Sequence, residues 1–137
     1  MTDPTVAVDT SVAVPLLVAT HEAHAQVSAW ARNKALVLAG HALAETYSVL
    51  TRLPGDLRVE PADAVRLIDA SFGESVLLPD STAASLHHVL ADLGVAGGAV
   101  YDGIIGLAAA GDGMPLATRD ARAKATYEAV GATTEIV

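Results

Sequence analysis

Short apolar runs rich in Val, Leu and Ala alternate with longer segments of helical character along the chain. The runs are bounded by Pro, Gly or polar residues, which is typical of buried β-strands. Strands that alternate with helices favour a parallel sheet covered by helices on both faces. The sequence therefore predicts a three-layer α/β fold whose central, mainly parallel sheet has about five strands.

The boundaries of the predicted elements follow from Pro, Gly and capping residues. The predicted strands are residues 5–8, 36–38, 76–78, 114–118 and 133–137. The predicted helices are residues 12–18, 21–33, 41–53, 61–72, 80–93, 101–110 and 120–130.

Length and cysteine content limit the class of protein. A chain of 137 residues predicts one domain over residues 1–137. The sequence contains no cysteine, which excludes disulfides, thiolate catalysis and Cys-based zinc sites. Neither a basic signal-peptide start nor an apolar run of the roughly 18 residues that span a bilayer is present. We expect a soluble, cytoplasmic protein with no membrane contact.

Composition points to a protein interface. Apolar residues make up 52% of the chain and charged residues only 18%, whereas about 25% charged residues is usual. We expect a homodimer or partner interface on the helices at 41–53 and 61–72, where charged substitutions at Leu50 or Leu67 should break a dimer. The net charge of −8 argues against a general nucleic-acid coat protein, but it allows a nuclease with a local basic rim.

Four acidic residues occur where a solvated charge is least expected. Asp9 and Asp120 each follow a predicted strand, and ligands of open α/β sheets bind at that end of the strands. Glu45 lies inside a largely apolar helix, where an unpaired charge is expensive. Asp102 opens a helix of small and apolar residues.

Each acid also has a structural explanation. Asp9 can cap the following helix, Glu45 can pair with His41 one turn earlier, and Asp102 suits the helix dipole. If the four carboxylates instead cluster, their repulsion requires cations. Oxygen ligands favour Mg²⁺ or Mn²⁺, which commonly act on phosphates, so metal-dependent phosphodiester hydrolysis is the leading hypothesis. The alternative is a non-catalytic protein-interaction module whose acids are helix caps and helix pairs.

The acidic motifs together resemble those of a known family. Val8-Asp9-Thr10-Ser11, Glu45, Tyr101-Asp102 and Thr118-Arg119-Asp120 are similar to the pattern of PIN-domain nucleases, most of all the VapC toxins of toxin–antitoxin pairs. The resemblance covers essentially the whole chain. It implies an acidic metal site of Asp9, Glu45, Asp102 and Asp120, supported by Ser11 and Thr118. It further implies RNA cleavage with Mg²⁺ or Mn²⁺, a homodimer, and a small antitoxin that blocks the site.

Three of the eight basic residues flank Asp120, namely Arg119, Arg122 and Lys124. Such side chains position nucleic-acid phosphates, so they are candidates for RNA binding beside the acids. The alternative is an ordinary solvated helix face.

Overall fold

The computed structural model describes residues 3–137, and five consecutive helices separate its second and third strands. The strands are β1 (Thr5–Val8), β2 (Ala35–Leu38), β3 (Leu116–Thr118) and β4 (Thr134–Ile136). The helices are α1 (Thr10–Leu17), α2 (His24–Ala31), α3 (Ala42–Thr51), α4 (Pro61–Ser71), α5 (Asp80–Ala84), α6 (Leu86–Asp92), α7 (Ala99–Gly111) and α8 (Ala121–Ala129), with a short 3₁₀ turn at Gly55–Leu57.

The sheet is parallel and has the strand order β2-β1-β3-β4. Helices flank it, which confirms the predicted α/β class. In the register of the central strands, Val8 of β1 pairs with Leu38 of β2 and with Ala117 of β3. Because β1 and β3 are neighbours and run the same way, the residues that follow them meet at one edge of the sheet.

The predicted strand at 76–78 is wrong, since only Val76 pairs with the sheet, through an isolated bridge to Ala39. The N–H of Val76 donates to the Leu38 carbonyl at 2.9 Å, and the Val76 carbonyl accepts from Gly40 N–H at 2.7 Å. The chain then leaves the sheet with Leu77 67% exposed, and Pro79 has no N–H with which to continue a ladder. The described sheet therefore has four strands, close to the predicted five.

The predicted helix at 80–93 is divided at Ser85. The Ser85 hydroxyl donates to the Ser81 carbonyl at 2.9 Å, and its backbone N–H donates to the Thr82 carbonyl at 3.2 Å. These bonds close the first helix after one turn, because serine competes with the helical backbone for hydrogen bonds. The other helix ends differ from the predicted ones by a few residues.

The core lies between the sheet and its helices. Leu50 belongs to it and is 0% exposed. A charge at Leu50 would therefore disrupt folding, so its use as an interface probe was wrong, whereas Leu67 is exposed. Helix α7 packs closely on α8 because Gly106 has no side chain. A Cβ there would lie 2.6 Å from Val130 Cγ2 and 3.2 Å from Tyr127 Cα.

Between residues 3 and 137, no helix is both long and apolar enough to cross a membrane.

Candidate active site

A cavity of about 220 Å³ opens at the carboxyl ends of β1 and β3. All four predicted acids reach it. The residues that line the cavity are Asp9, Thr10, Ser11, Glu45, Asp102, Ile105, Asp120 and Tyr127.

Sheet register and helix starts bring these acids together. Asp9 directly follows β1, and Asp120 follows the neighbouring β3 by two residues. Glu45 and Asp102 lie in the first turns of α3 and α7. Because the amino end of a helix carries partial positive charge, both positions favour a carboxylate.

The Asp9 carboxylate is only 3% exposed and accepts four hydrogen bonds. Its Oδ1 accepts from the backbone N–H of Ser11 at 3.0 Å and from the Ser11 hydroxyl at 2.6 Å. Its Oδ2 accepts from the Thr118 hydroxyl at 2.5 Å and from the Tyr127 hydroxyl at 2.7 Å. These four donors hold the Asp9 carboxylate in one orientation. The bond from Ser11 N–H also caps α1, so capping and cavity lining coexist in this residue.

The hydroxyls of Ser11 and Thr118 both bind Asp9 and lie 3.2 Å from each other. Ser11 Oγ accepts from the backbone N–H of Arg119 at 2.7 Å, and Thr118 Oγ1 accepts from that of Asp120 at 3.0 Å. Since both oxygens already accept a backbone hydrogen and lie beside Asp9, each hydroxyl directs its own hydrogen to the carboxylate. The connection between β3 and α8 is thereby fastened to Asp9.

Sequence reasoning missed Tyr127, whose side chain is 1% exposed. Burial and the charge of Asp9 raise the pKa of the phenol, which therefore stays protonated and donates to Asp9. Tyr127 shares a buried stripe of α8 with Ala123 and the adjoining Val130. A tyrosine on such a stripe needs a partner for its hydroxyl, and that signal was available in the sequence.

Glu45 is held from two sides. Thr10 Oγ1, a second residue that sequence reasoning missed, donates to Glu45 Oε2 at 3.1 Å. His41 Nε2 lies 3.5 Å from Glu45 Oε1, the pairing that the i, i+4 spacing had suggested as an alternative. The pair is partly exposed, so the carboxylate remains accessible from the cavity.

Asp102 shows the electrostatic cost of the cluster, and Asp120 also caps a helix. Burial raises the pKa of Asp102, and the charges of Asp120, Glu45 and Asp9 raise it further. Asp120 Oδ1 accepts from the backbone N–H of Arg122 at 3.0 Å and so caps α8. A cation in the cavity would relieve the repulsion that disfavours the ionised form of Asp102.

The candidate RNA-binding residues differ in position. Arg119 adjoins the cavity through its backbone, and its Nε is buried without a hydrogen-bond partner in the described structure. Arg122 is exposed, with its Nε 3.7 Å from Asp120 Oδ1. Lys124 pairs instead with Glu128 at 3.5 Å and does not line the cavity.

The donor set suits a hydrated divalent cation better than a tight protein cage. Within residues 3–137, no three His, Asp or Glu side chains stand at the spacing of a preformed metal site. The acids instead surround the cavity and offer only oxygen atoms, the donors that Mg²⁺ and Mn²⁺ take. Because Mg²⁺ usually keeps several of its waters, acids spread around a cavity can share it through them.

Comparisons of the sequence and of the fold with known proteins agree with each other. The model of the PIN domain matches residues 6–129. The chain is 59% identical over 128 residues to Ribonuclease VapC27 of Mycobacterium tuberculosis, which covers 93% of each chain. It is 40% identical over 133 residues to Ribonuclease VapC40 of the same species, which covers 96% of this chain and 98% of that one. The fold is similar to VapBC2 from Rickettsia felis bound to a DNA fragment from its promoter, with a TM-score of 0.65, 14% identity and coverage of 97% and 98%.

Proposed function

Because this chain belongs to the PIN-domain family, we propose that it is an endoribonuclease that hydrolyses RNA phosphodiester bonds as the toxin of a toxin–antitoxin pair. The observation that carries the proposal is the cavity where four acids from β1, α3, α7 and the end of β3 meet. The relatives named as VapC ribonucleases support RNA as the substrate. Residues 1–137 act in this proposal as a single nuclease domain.

The site is assigned to Mg²⁺ or Mn²⁺. Asp9 and Asp102 are its main ligands, and Glu45 and Asp120 complete the site directly or through water. When bound, such a cation polarises the scissile phosphate and lowers the pKa of water. Ser11 and Thr118 keep the Asp9 carboxylate in one orientation, which their fixed hydroxyls are placed to do.

Arg119, Arg122 and Lys124 are assigned to the RNA backbone. The buried, unpartnered Nε of Arg119 supports a contact with an anionic acceptor beside the acids. Arg122 and Lys124 lie further along α8, where their carboxylate partners must compete with phosphate. Arginine and lysine contacts of this kind position the backbone and carry no base preference.

The first test is cleavage of cellular RNA by the purified chain with Mg²⁺ or Mn²⁺, and with EDTA. Asp102→Asn and the double variant Asp9→Asn, Asp102→Asn serve as controls for a contaminating ribonuclease. Metal-dependent cutting by the wild type alone is the expected result. Failure of the wild type to cut with either metal, together with no metal binding in calorimetry, would overturn the nuclease and favour the interaction module.

A cognate antitoxin, similar to VapB, is the proposed protein partner. An apolar groove of about 530 Å³ between α3 and α4 supports this, because it leaves Leu43, Tyr47 and Val65 exposed. Exposed apolar surface of this kind marks protein contacts. The groove also includes His41, the partner of Glu45, so an occupant would adjoin the acidic cavity. Inhibition of cutting by the co-purified antitoxin tests the assignment.

A homodimer is proposed as well. Light scattering of the wild type and of Leu67→Lys tests it, because Leu67 is an exposed apolar residue on α4. A dimeric wild type and a monomeric, folded variant are expected. A monomeric wild type would contradict the dimer.

A further inference from the structure

His41 and Tyr101 form a stacked aromatic pair next to two of the cavity acids, Glu45 and Asp102. Their ring centroids are 4.9 Å apart, and the ring planes are inclined by 29°. His41 lies one turn before Glu45, and Tyr101 directly precedes Asp102. The pair is therefore joined through short stretches of backbone to two of the four cavity acids.

The Tyr101 ring is held in place and yet open to solvent. The residue is 54% exposed, although one face of its ring lies against His41. More than half of the Tyr101 surface therefore stays accessible in spite of the stack. His41 is itself restrained, since its Nε2 lies 3.5 Å from Glu45 Oε1. A flat ligand that stacks on Tyr101 would meet a ring that has already lost much of its freedom.

The low number of basic residues favours a contact with RNA that does not depend on charge. Phosphate contacts usually supply most of the affinity for nucleic acid, but this chain has only eight Lys and Arg residues and a net charge of −8. Among the described residues, Arg66, Arg122 and Lys124 already face carboxylates. Stacking of a base on an aromatic ring does not depend on net charge.

We propose that the exposed face of Tyr101 is a base-binding site, on which an unpaired RNA base stacks beside the acidic cavity. The inference rests on the proposed ribonuclease function and assigns Tyr101 to substrate binding. The face of a base is available to a side chain only in single strands, loops and bulges. Tyr101 is therefore assigned to an unpaired base of the RNA that the site cleaves.

The test compares Tyr101→Ala with Tyr101→Phe, which keeps the ring. A stacked base contributes about 1–3 kcal/mol, so Tyr101→Ala should weaken binding of a fluorescent single-stranded oligoribonucleotide by about 5- to 150-fold. The measurement is fluorescence anisotropy in EDTA, where no cutting occurs. Tyr101→Phe should bind as the wild type does. In cleavage assays with Mg²⁺, the alanine variant should raise KM and leave kcat nearly unchanged.

Leu77→Ala is the matched control, because it removes exposed apolar surface outside the cavity. It should bind the oligoribonucleotide as the wild type does. Equal affinities of the wild type and Tyr101→Ala, with equal melting temperatures, would overturn the base-binding site. A wild type that binds the single strand more tightly than Tyr101→Ala but cuts no RNA would support the site and contradict the proposed nuclease.

Discussion

Asp9 and Asp102 line the same cavity, but the surroundings of their carboxylates are opposite in kind. Asp9 is buried and accepts four hydrogen bonds, from Ser11, Thr118 and Tyr127. Asp102 is partly exposed and accepts no side-chain hydrogen bond from the described residues, while burial and three neighbouring acids raise its pKa. Asp9 is bound into the fold by its hydrogen bonds, whereas Asp102 is held in the cavity against electrostatic repulsion.

Two acids that line one cavity therefore need not have the same structural role. A carboxylate satisfied by four donors stabilises the fold through them, and its loss leaves those donors without an acceptor. A carboxylate crowded by like charges destabilises the fold in the absence of a cation. The same substitution should therefore have opposite effects on stability at the two positions.

Asp9→Asn should have the largest effect, a loss of about 3 kcal/mol in the free energy of unfolding. Its amide nitrogen would be a donor that faces hydroxyl and N–H donors in a buried site. Urea unfolding monitored by circular dichroism measures the change. Asp102→Asn is the control, since it is the same chemical change at the same cavity. Equal stabilities of the two variants would break the comparison.

Thr118→Val should come next, at about 2 kcal/mol. Valine keeps the shape of threonine but removes the donor to Asp9 and the acceptor for the backbone N–H of Asp120. Thr118→Ser is the control, because serine keeps the hydroxyl and loses only a methyl group. The prediction fails if the valine variant unfolds at the same urea concentration as the serine variant.

Tyr127→Phe should cost about 1 kcal/mol of stability, because it removes one of two donors to Asp9 Oδ2 and leaves the buried ring. Residues that orient a metal ligand typically affect metal affinity by 10- to 100-fold, so Mn²⁺ affinity should fall by about 10-fold. Isothermal calorimetry measures it. Tyr47→Phe, at an exposed tyrosine, should change neither quantity. Unchanged Mn²⁺ affinity in Tyr127→Phe would limit Tyr127 to a role in folding.

Asp102→Asn should have the smallest effect on stability and the opposite sign, a rise of a few degrees in the melting temperature in EDTA at neutral pH. The folded state raises the pKa of Asp102 above its ordinary value of 3.8 and so binds the proton more tightly than the unfolded chain does. This contribution to stability is present at low pH and is lost as pH rises through the raised pKa.

Thermal melts across that pH range compare the wild type with the variant. The stability advantage of Asp102→Asn should grow from low pH to neutral pH and should shrink when Mg²⁺ is added to the wild type. A constant difference at all pH values would show that the Asp102 charge is not the cause.

Local patterns were enough to predict much of the fold and the four acids. The strands around β1 and β2 and the positions of Asp9, Glu45 and Asp102 depend on periodicity, capping and helix polarity within a few residues. At residues 76–78 the local pattern led to a wrong prediction. Their apolar character fits a strand, but the chain turns away beside Pro79 and pairs through Val76 alone.

Short segments of the sequence were enough to predict the α/β class and the four acids that line the cavity, because capping and helix polarity act within a few residues. The bond from Tyr127 to Asp9, 118 positions apart, and the stacking of Tyr101 on His41 became visible only in the folded chain. The first of these contacts depends on the pairing of β1 with β3, because α8 follows β3 directly. Contacts between distant segments are set by packing of the whole chain, for which no local pattern carries the information.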